Sequence, residues 1–311
     1  MKDYTVFLGD GALDEYYRAD CWPEAGGKAF VDQMEAKHGG MIANAACVYS
    51  AAGGDARFMT TLNSGEVSRI LVEGLEKQGV SPVYVITDDS LADSKCMIFL
   101  AEDNNTVMIL NTGLTSYELT EEYFDVLKDA RYLYTTLSDL LRVRFGDMRG
   151  LEIARILRQN GVQIFCDLDT GYLDEEKEIF YQELDYAVFN HIGFRNYRGK
   201  RTEEEAAQQL LSYGVKAVVI TCGIEGCRLY SEKMYKTIPA FQVEAADVTG
   251  AGDTFSASFL YGIQRFGEDY EKAAEYASAA AAICVSGVGA RAGAVSENEV
   301  RCFLKKQGLD Y

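Results

Sequence analysis

Positive charge and proline are both scarce in this sequence. Lys and Arg number 30 against 48 Asp and Glu, a formal charge of −18 at pH 7. Nucleic acids and anionic membranes are bound through Lys/Arg stripes, so a broad surface of that kind is excluded. A small anion held by backbone amides is not. Only 3 prolines occur and apolar residues make up 48% of the chain, the composition of a globular protein with a sizeable core rather than a disordered one. With two histidines, His38 and His191, and no Cys-x-x-Cys among eight cysteines, no zinc pattern forms. Most of the cysteines lie in apolar runs such as "VQIFCDL" and "AAAAICV", where Cys behaves as a small hydrophobe. Reduced thiols in a cytoplasmic protein are therefore expected. Long hydrophobic runs are missing too: the longest, 276–290, is Ala/Gly-rich and too short and small-sided to span a bilayer. The start, "MKDYTVFLGDGALDE", has no signal-peptide layout.

What is present is an alternation of strands and helices. "YTVFLG" (4–9), "VYVIT" (83–87), "YLYTT" (132–136), "VQIFCDL" (162–168), "YAVFN" (186–190) and "KAVVITCG" (216–223) read as buried strands. Helical periodicity runs over 66–79, 148–160, 203–213, 253–266, 269–286 and 296–306. Continuous apolar strands between amphipathic helices predict a parallel sheet covered on both faces. "CMIFLAEDNNTVMIL" (96–110) reads as a hairpin turning at its polar centre. The segments 14–40 and 83–112 are polar and interrupted, and are expected to form a small β-rich flap on one large domain spanning 1–311. Acid runs such as "TEEEAAQQ" read as helix starts and solvated faces.

The most informative stretch is "AADVTGAGDTFSASFLYG" (245–262). A helix start carries free N–H groups and about half a positive charge, so Gly250, Ala251 and Gly252 offer an unobstructed anion cradle. Asp253 repels a phosphate there unless it takes part in the chemistry, as the acceptor of a hydroxyl proton. It equally suits the cap of a helix. A second glycine pair, in "KHGGMIANAACVYSAAGG" (37–54), also runs into a helix, with Asn44 four positions beyond Gly40. "VVITCGIEGCRLY" (218–230) ends a strand in a glycine-bearing loop, the place where doubly wound sheets bind ligands.

Together these stretches resemble the PfkB (ribokinase-like) carbohydrate kinase family. "DVTGAGDTFSASFLYG" is similar to its C-terminal signature nearly position for position, and "GGMIANAA…AAGG" looks like a degraded N-terminal signature. The order of motifs agrees along essentially the full chain. The resemblance implies a ribokinase-like α/β fold with a doubly wound, mainly parallel sheet, helices on both faces and a small β-rich lid. It also implies ATP-dependent phosphorylation of a hydroxymethyl group on a sugar-like small molecule, with Mg²⁺. By the same resemblance Asp253 is the base, and Gly250, Ala251 and Gly252 form the anion hole. Asp14, Gly39, Gly40 and Asn44 match substrate contacts. Asn190, Thr221, Gly223 and Gly226 match the nucleotide-phosphate region, and Ser278 and Ala282 lie near adenine. Asp247 and Thr249 fall where some members hold a monovalent cation such as K⁺. Lids of this kind often pair edge to edge, which implies a homodimer.

Three departures stand out. Asn190 begins the family's Asn-x-x-Glu, but Gly193 stands where Glu belongs. Asp169 in "DLDTGYL" replaces an Asn, and "TLNSGEVSRIL" replaces a Gly-x-Asp-x-x-Gly run. These keep open a kinase-derived, non-catalytic binding protein. Trp22, Tyr16 and Tyr17 keep open a nucleoside kinase, since aromatic surface suits a base. Arg142 and Arg144 are candidates for an anionic group on the acceptor. His38 reads as a solvent-facing or core-edge residue rather than a ligand contact, and His191 as a neighbour of the altered motif.

Overall fold

The computed structural model describes residues 3–24, 26–101, 105–170 and 175–309. In the first half, β1 (Thr5–Leu8) is followed by β2 (Ala12–Arg18), β3 (Asp32–Gln33), β4 (Lys37–Gly39) and α1 (Met41–Ala51). Next come β5 (Ala56–Leu62), α2 (Glu66–Lys77), β6 (Ser81–Thr87) and the hairpin of β7 (Lys95–Leu100) and β8 (Asn105–Ile109), whose turn lies outside the described residues. After β9 (Tyr117–Glu118) and α3 (Glu121–Asp129), β10 (Tyr132–Thr136) runs into α4 (Leu137–Arg142). Short β11 (Val143–Phe145) and β12 (Met148–Arg149) lead to α5 (Gly150–Gln159), β13 (Gln163–Leu168) and α6 (Glu175–Tyr181).

The last part holds β14 (Tyr186–Asn190), α7 (His191–Arg198), α8 (Glu203–Ser212), β15 (Ala217–Thr221), β16 (Cys227–Ser231) and β17 (Met234–Ile238). Three helices close the chain: α9 (Ala251–Phe266), α10 (Tyr270–Ser286) and α11 (Glu297–Lys306). The "TEEE" run does start a helix. Thr202 with Glu205, and Ser296 with Glu299, form reciprocal capping boxes on α8 and α11.

Nine strands make one sheet in the order β17-β16-β15-β14-β13-β10-β1-β5-β6. From β6 to β15 every pairing is parallel, and β16 and β17 add an antiparallel edge. Side chains alternate faces along each strand. Phe7, Tyr134, Phe165 and Val188 pack against α1, α9, α10 and α11, while Val6, Leu133, Ile164 and Ala187 pack against α3, α5, α7 and α8. Strand order reverses at β1, with β5 on one side and β10 on the other, and ligands bind beyond the strand ends at such a switch.

A second sheet is centred on β2, which pairs β3 and β4 antiparallel and β7 parallel, with β8 at its free edge. Residues 83–87, expected in the small flap, instead belong to β6 at the edge of the large sheet. Their register with β5 continues the parallel pattern, so the small sheet begins again only at Lys95.

Candidate active site

The turn before α9 is built so that glycine alone fits at its cap. Gly250 has φ +77°, and a side chain there would run into the backbone of Ala290. Ala251 donates its amide to Val248 O at 3.3 Å, and Thr254 donates to Gly250 O at 2.9 Å. The amides of Gly250, Gly252 and Asp253 are left without a backbone acceptor among the described residues. The Ala251 amide, expected in the anion cradle, is therefore spent in the turn itself.

Asp253 is held from α1. Asn44, buried on that helix, donates from Nδ2 to Asp253 Oδ2 at 2.9 Å. Burial pushes the Asp253 carboxyl well above the ordinary carboxylate range. The Asn44 amide works against this, and Asp167, Asp169 and Asp10 add to it.

Gly39 and Gly40 have a packing reason. A side chain at 39 would overlap the Asp14 carboxylate, and one at Gly40 would meet Gly11 Cα at 2.5 Å. The pair thus lets β4 close on β2 over the buried Asp14. Burial raises the proton affinity of Asp14, and the Cys96 thiol and Arg291 lower it.

Three cavities lie along the strand ends. One, of about 260 Å³, is lined by Thr221, Gly223, Gly226, Phe255, Ser278 and Ala282 among others. A second, of about 350 Å³, is lined by Asp167, Asp169, Asn190, Thr221, Gly223, Gly250, Gly252 and Asp253. A third, also about 350 Å³, carries Asp10, Tyr117, Thr136, Asp139 and Arg142, again with Asp167 and Asp169. Shared lining residues join the three, with Asp253 in the middle one. Asp14, Gly39, Gly40 and Asn44 line none of these three cavities; Asn44 touches Asp253 directly.

Asp10, Asp139, Asp167 and Arg291 are site residues that the sequence reading passed over. Asp139 accepts from Tyr117 Oη at 2.9 Å and Thr136 Oγ1 at 2.6 Å. Thr136-x-x-Asp139 is legible as a helix start, which is how it also serves. Enclosure and the Asp139 charge push Asp10 up to about 6, against the amides of Ile42 and Met41. Asp167 accepts from Tyr134 Oη at 2.8 Å, and burial with neighbouring Asp169 pushes it up to about 7.

The altered Asn-x-x-Glu has a steric explanation. Asn190 caps α7 by accepting from Gly193 N at 2.7 Å and donates to Asp169 Oδ1 at 2.9 Å. A Cβ on Gly193 would collide with Leu168 O and lie 2.6 Å from Asp169 O. Asp169, which accepts from Asn190, brings a carboxylate to the same cavity.

Other expectations resolve simply. Asp247 accepts from Thr249 N and Gly289 N, both at 2.9 Å, and Cys284 Sγ approaches Thr249 O at 3.7 Å. Burial works upward on Asp247, but those amides and Lys37 hold its carboxyl below the usual range. His38 Nε2 meets Ile70 O at 3.1 Å and packs on Gly74, tying β4 to α2. Tyr17 and Trp22 pack on Phe99, at 5.3 and 5.8 Å between ring centroids. Arg144 is absorbed by the carbonyls of Leu141 and Val143, both at 3.1 Å, whereas Arg142 is exposed and lines the third cavity. His191 is exposed at the rim of the middle one. All eight cysteines are free.

Open amides and a buried carboxylate meet at one helix start beyond the carboxyl ends of β13, β14 and β15, an arrangement suited to phosphoryl transfer. The chain matches the model of the pfkB family carbohydrate kinases over residues 12–297 and belongs to that family: it is an ATP-using carbohydrate kinase. Among curated relatives, a probable fructokinase-5 of Arabidopsis thaliana is 25% identical over 81% of this chain and 83% of its own. A 5-dehydro-2-deoxygluconokinase of Geobacillus thermodenitrificans is 28% identical over 80% and 78%. Among solved structures, the ribokinase of Thermotoga maritima is 26% identical with a TM-score of 0.82, covering 97% of this chain and 99% of its own. The Arabidopsis thaliana ribokinase, complexed with ribose and ATP, superposes with a TM-score of 0.84 over 98% and 99% at 21% identity, a likeness of fold. Among the described residues, no helix is long and apolar enough to cross a membrane.

Proposed function

We propose that this kinase transfers the γ-phosphoryl group of ATP to a hydroxymethyl group of a sugar or sugar derivative, with Asp253 as general base. The observation that carries the reading is the position of Asp253: in the middle of three joined cavities, beside open amides, with one carboxylate oxygen fixed by Asn44. In this reading the base of ATP occupies the cavity of Phe255, Ser278 and Ala282, and its phosphates run past Thr221, Gly223, Gly226 and Asn190. The amides of Gly250, Gly252 and Asp253 receive charge from the transferring group, supplying more of the acceleration than proton removal does. Asp253 takes the hydroxyl proton, a contribution of roughly 10²–10⁴ in rate. Burial raises its proton affinity, the direction that favours a proton acceptor.

The acceptor lies on the side of Asp14, Gly39, Gly40 and Asn44 and extends toward Asp10 and Asp139. Carboxylates and hydroxyls on that side favour a polyhydroxylated acceptor over a flat base, because Tyr17 and Trp22 are engaged with Phe99. The small sheet serves as the lid that excludes water on closure. The exposed Val107 and Ile109 on its edge strand β8 support pairing of two copies there.

Mg²⁺ is implied by the chemistry. Among the described residues no three His, Cys, Asp or Glu side chains converge to hold a metal alone. Mg²⁺, however, is held by one or two carboxylates with substrate phosphates and water, and Asp167 and Asp169 provide that donor set. When bound, the ion offsets phosphate charge. Asp247 and Thr249 are the residues that would hold a monovalent cation. Their oxygens already carry protein donors, so no step is derived from one.

The reading is tested by ADP release from Mg²⁺-ATP with aldoses, ketoses, sugar acids, phosphosugars and nucleosides as acceptors. Release stimulated by a sugar-class acceptor and lost in Asp253→Asn supports it. Stimulation by nucleosides alone, or retained activity in the variant, refutes it.

A further inference from the structure

We propose that Arg291, in the loop between α10 and α11, is a positioning residue that orients the Asp253 carboxylate through the Asn44 amide. The proposal rests on the reading of Asp253 as the proton acceptor, and goes beyond it.

Arg291 Nε donates to Asn44 Oδ1 at 3.1 Å, and Asn44 Nδ2 donates to Asp253 Oδ2 at 2.9 Å. A carboxamide has a donor end and an acceptor end that can exchange by a half turn. A guanidinium carries donors only, so it accepts one of the two orientations. With Arg291 in place, the Asn44 oxygen faces the guanidinium and the NH₂ group must face Asp253. Without it, a half turn would set the amide oxygen against a carboxylate.

The supports of this chain of bonds are fixed. Asn44 is 4% exposed near the start of α1. The Arg291 loop is closed by Ala292 N donating to Gly289 O and Ala294 N to Arg291 O, both at 3.0 Å. Gly289 N in turn donates to Asp247 Oδ2 at 2.9 Å, which anchors the loop to the turn that starts α9.

Arg291 is not explained as half of a salt bridge. Among the described residues no carboxylate lies within ion-pair distance of it, and its Nη2 is buried without a hydrogen-bond partner. Asp14 and Asp253 act on it only at longer range. A guanidinium enclosed in this way costs stability, and the one hydrogen bond it makes among the described residues goes to Asn44.

The surroundings of Asp253 show why the orientation matters. Facing it are Asp10 after β1, Asn44 on α1, Tyr134 on β10, Asp167 and Asp169 at the end of β13, Cys284 on α10, and Arg291. Three carboxylates favour the protonated acid. Against them stand the Asn44 amide and the Arg291 charge, so loss of the amide's orientation would leave Asp253 protonated over more of the working range.

The test is the titration of Asp253 itself, followed by ¹³C NMR in protein labelled at aspartate carboxyls and assigned by Asp253→Asn. Arg291→Met should raise the Asp253 midpoint by about one pH unit. It should move the acid limb of kcat/KM equally, and lower kcat about tenfold on that limb while leaving KM for ATP unchanged. In an Asn44→Ala background the same substitution should add clearly less, because the route through the amide is already cut and only the longer-range charge of Arg291 is left to lose. Should Arg291→Met fail to fold, Arg291→Gln offers both donor and acceptor, no longer pins the amide, and should shift the midpoint the same way. An unmoved midpoint in the folded variant overturns the proposal. So does a shift that persists undiminished without Asn44, which would be a direct charge effect. The NMR midpoint does not depend on turnover. A shifted midpoint with full turnover in Asp253→Asn would therefore support the positioning and refute the base.

Discussion

Asn44 and Asp253, 209 positions apart, are joined by a 2.9 Å hydrogen bond that links the first helix to the start of α9. The bond fixes one carboxylate oxygen and leaves the other available to a hydroxyl. Asp253→Asn should lower kcat by at least about a hundredfold, since it keeps shape but cannot accept a proton. Stability should hold or rise, because burial disfavours the charged form of Asp253 in the folded chain. Steady-state ADP release and thermal melting check both halves. A fall under tenfold would remove Asp253 as base.

Gly193 invites an obvious repair, the return of Glu to Asn-x-x-Glu. The structure forbids it, because the backbone oxygens of Leu168 and Asp169 fill the space of a Cβ. Gly193→Glu should destabilise the fold by about 1–3 kcal/mol, as overpacked sites do, without raising activity. Urea unfolding beside the kinase assay decides this. A stable, faster variant would show that the backbone of Leu168 and Asp169 gives way freely. In contrast, Asp169→Asn should weaken Mg²⁺ binding, raising the metal concentration needed for half-maximal activity.

Much of this was legible in the residues and some was not, for physical reasons. "YAVFN" and "AVVIT" are continuous apolar runs, so their burial on two faces could be read directly, as could the helix start in "GAGD". The edge strands "CRLYS" and "MYKTI" mix charge with apolar residues and carry no such signal; their pairing comes from the turn between them. Arg291 sits in "GVGARAGAV", where nothing local marks it. Its partner Asn44 lies 247 positions away, and only the closing of α9 against α1 brings the two together. At Gly193 the sequence shows only that a Glu is missing; the close approach of the Leu168 and Asp169 backbone that calls for glycine there is something composition cannot express.

Ala282 offers a test of the nucleotide side alone. It is buried on α10 and lines the same cavity as Ser278, Thr221 and Gly226. Ala282→Phe should fill that space and raise KM for ATP at least about tenfold. KM for the acceptor should stay within about twofold, because the proposed acceptor side, at Asp14 and Asn44, is separate from this cavity. Varying each substrate at saturating levels of the other separates the two constants. Equal changes in both would place the nucleotide elsewhere.

Stability should also depend on pH through carboxylates that the mechanism places together. Asp10 and Asp167 release their protons near about 6 and about 7 in the folded chain, against an ordinary value of 3.8. Between those limits the folded state binds more protons than the unfolded one, so their contribution to stability falls as pH rises. It is fully present below about pH 4 and largely gone above about pH 7. Asp167→Asn removes the larger share: Asn cannot ionise, and its carbonyl still accepts from Tyr134 Oη. The variant should therefore melt a few degrees higher than the natural chain near about pH 8, with the advantage shrinking toward about pH 5. Thermal melts across that range measure the difference. Parallel profiles for the two proteins would mean that Asp167 titrates alike folded and unfolded, and that enclosure beside Asp169 does not hold its proton.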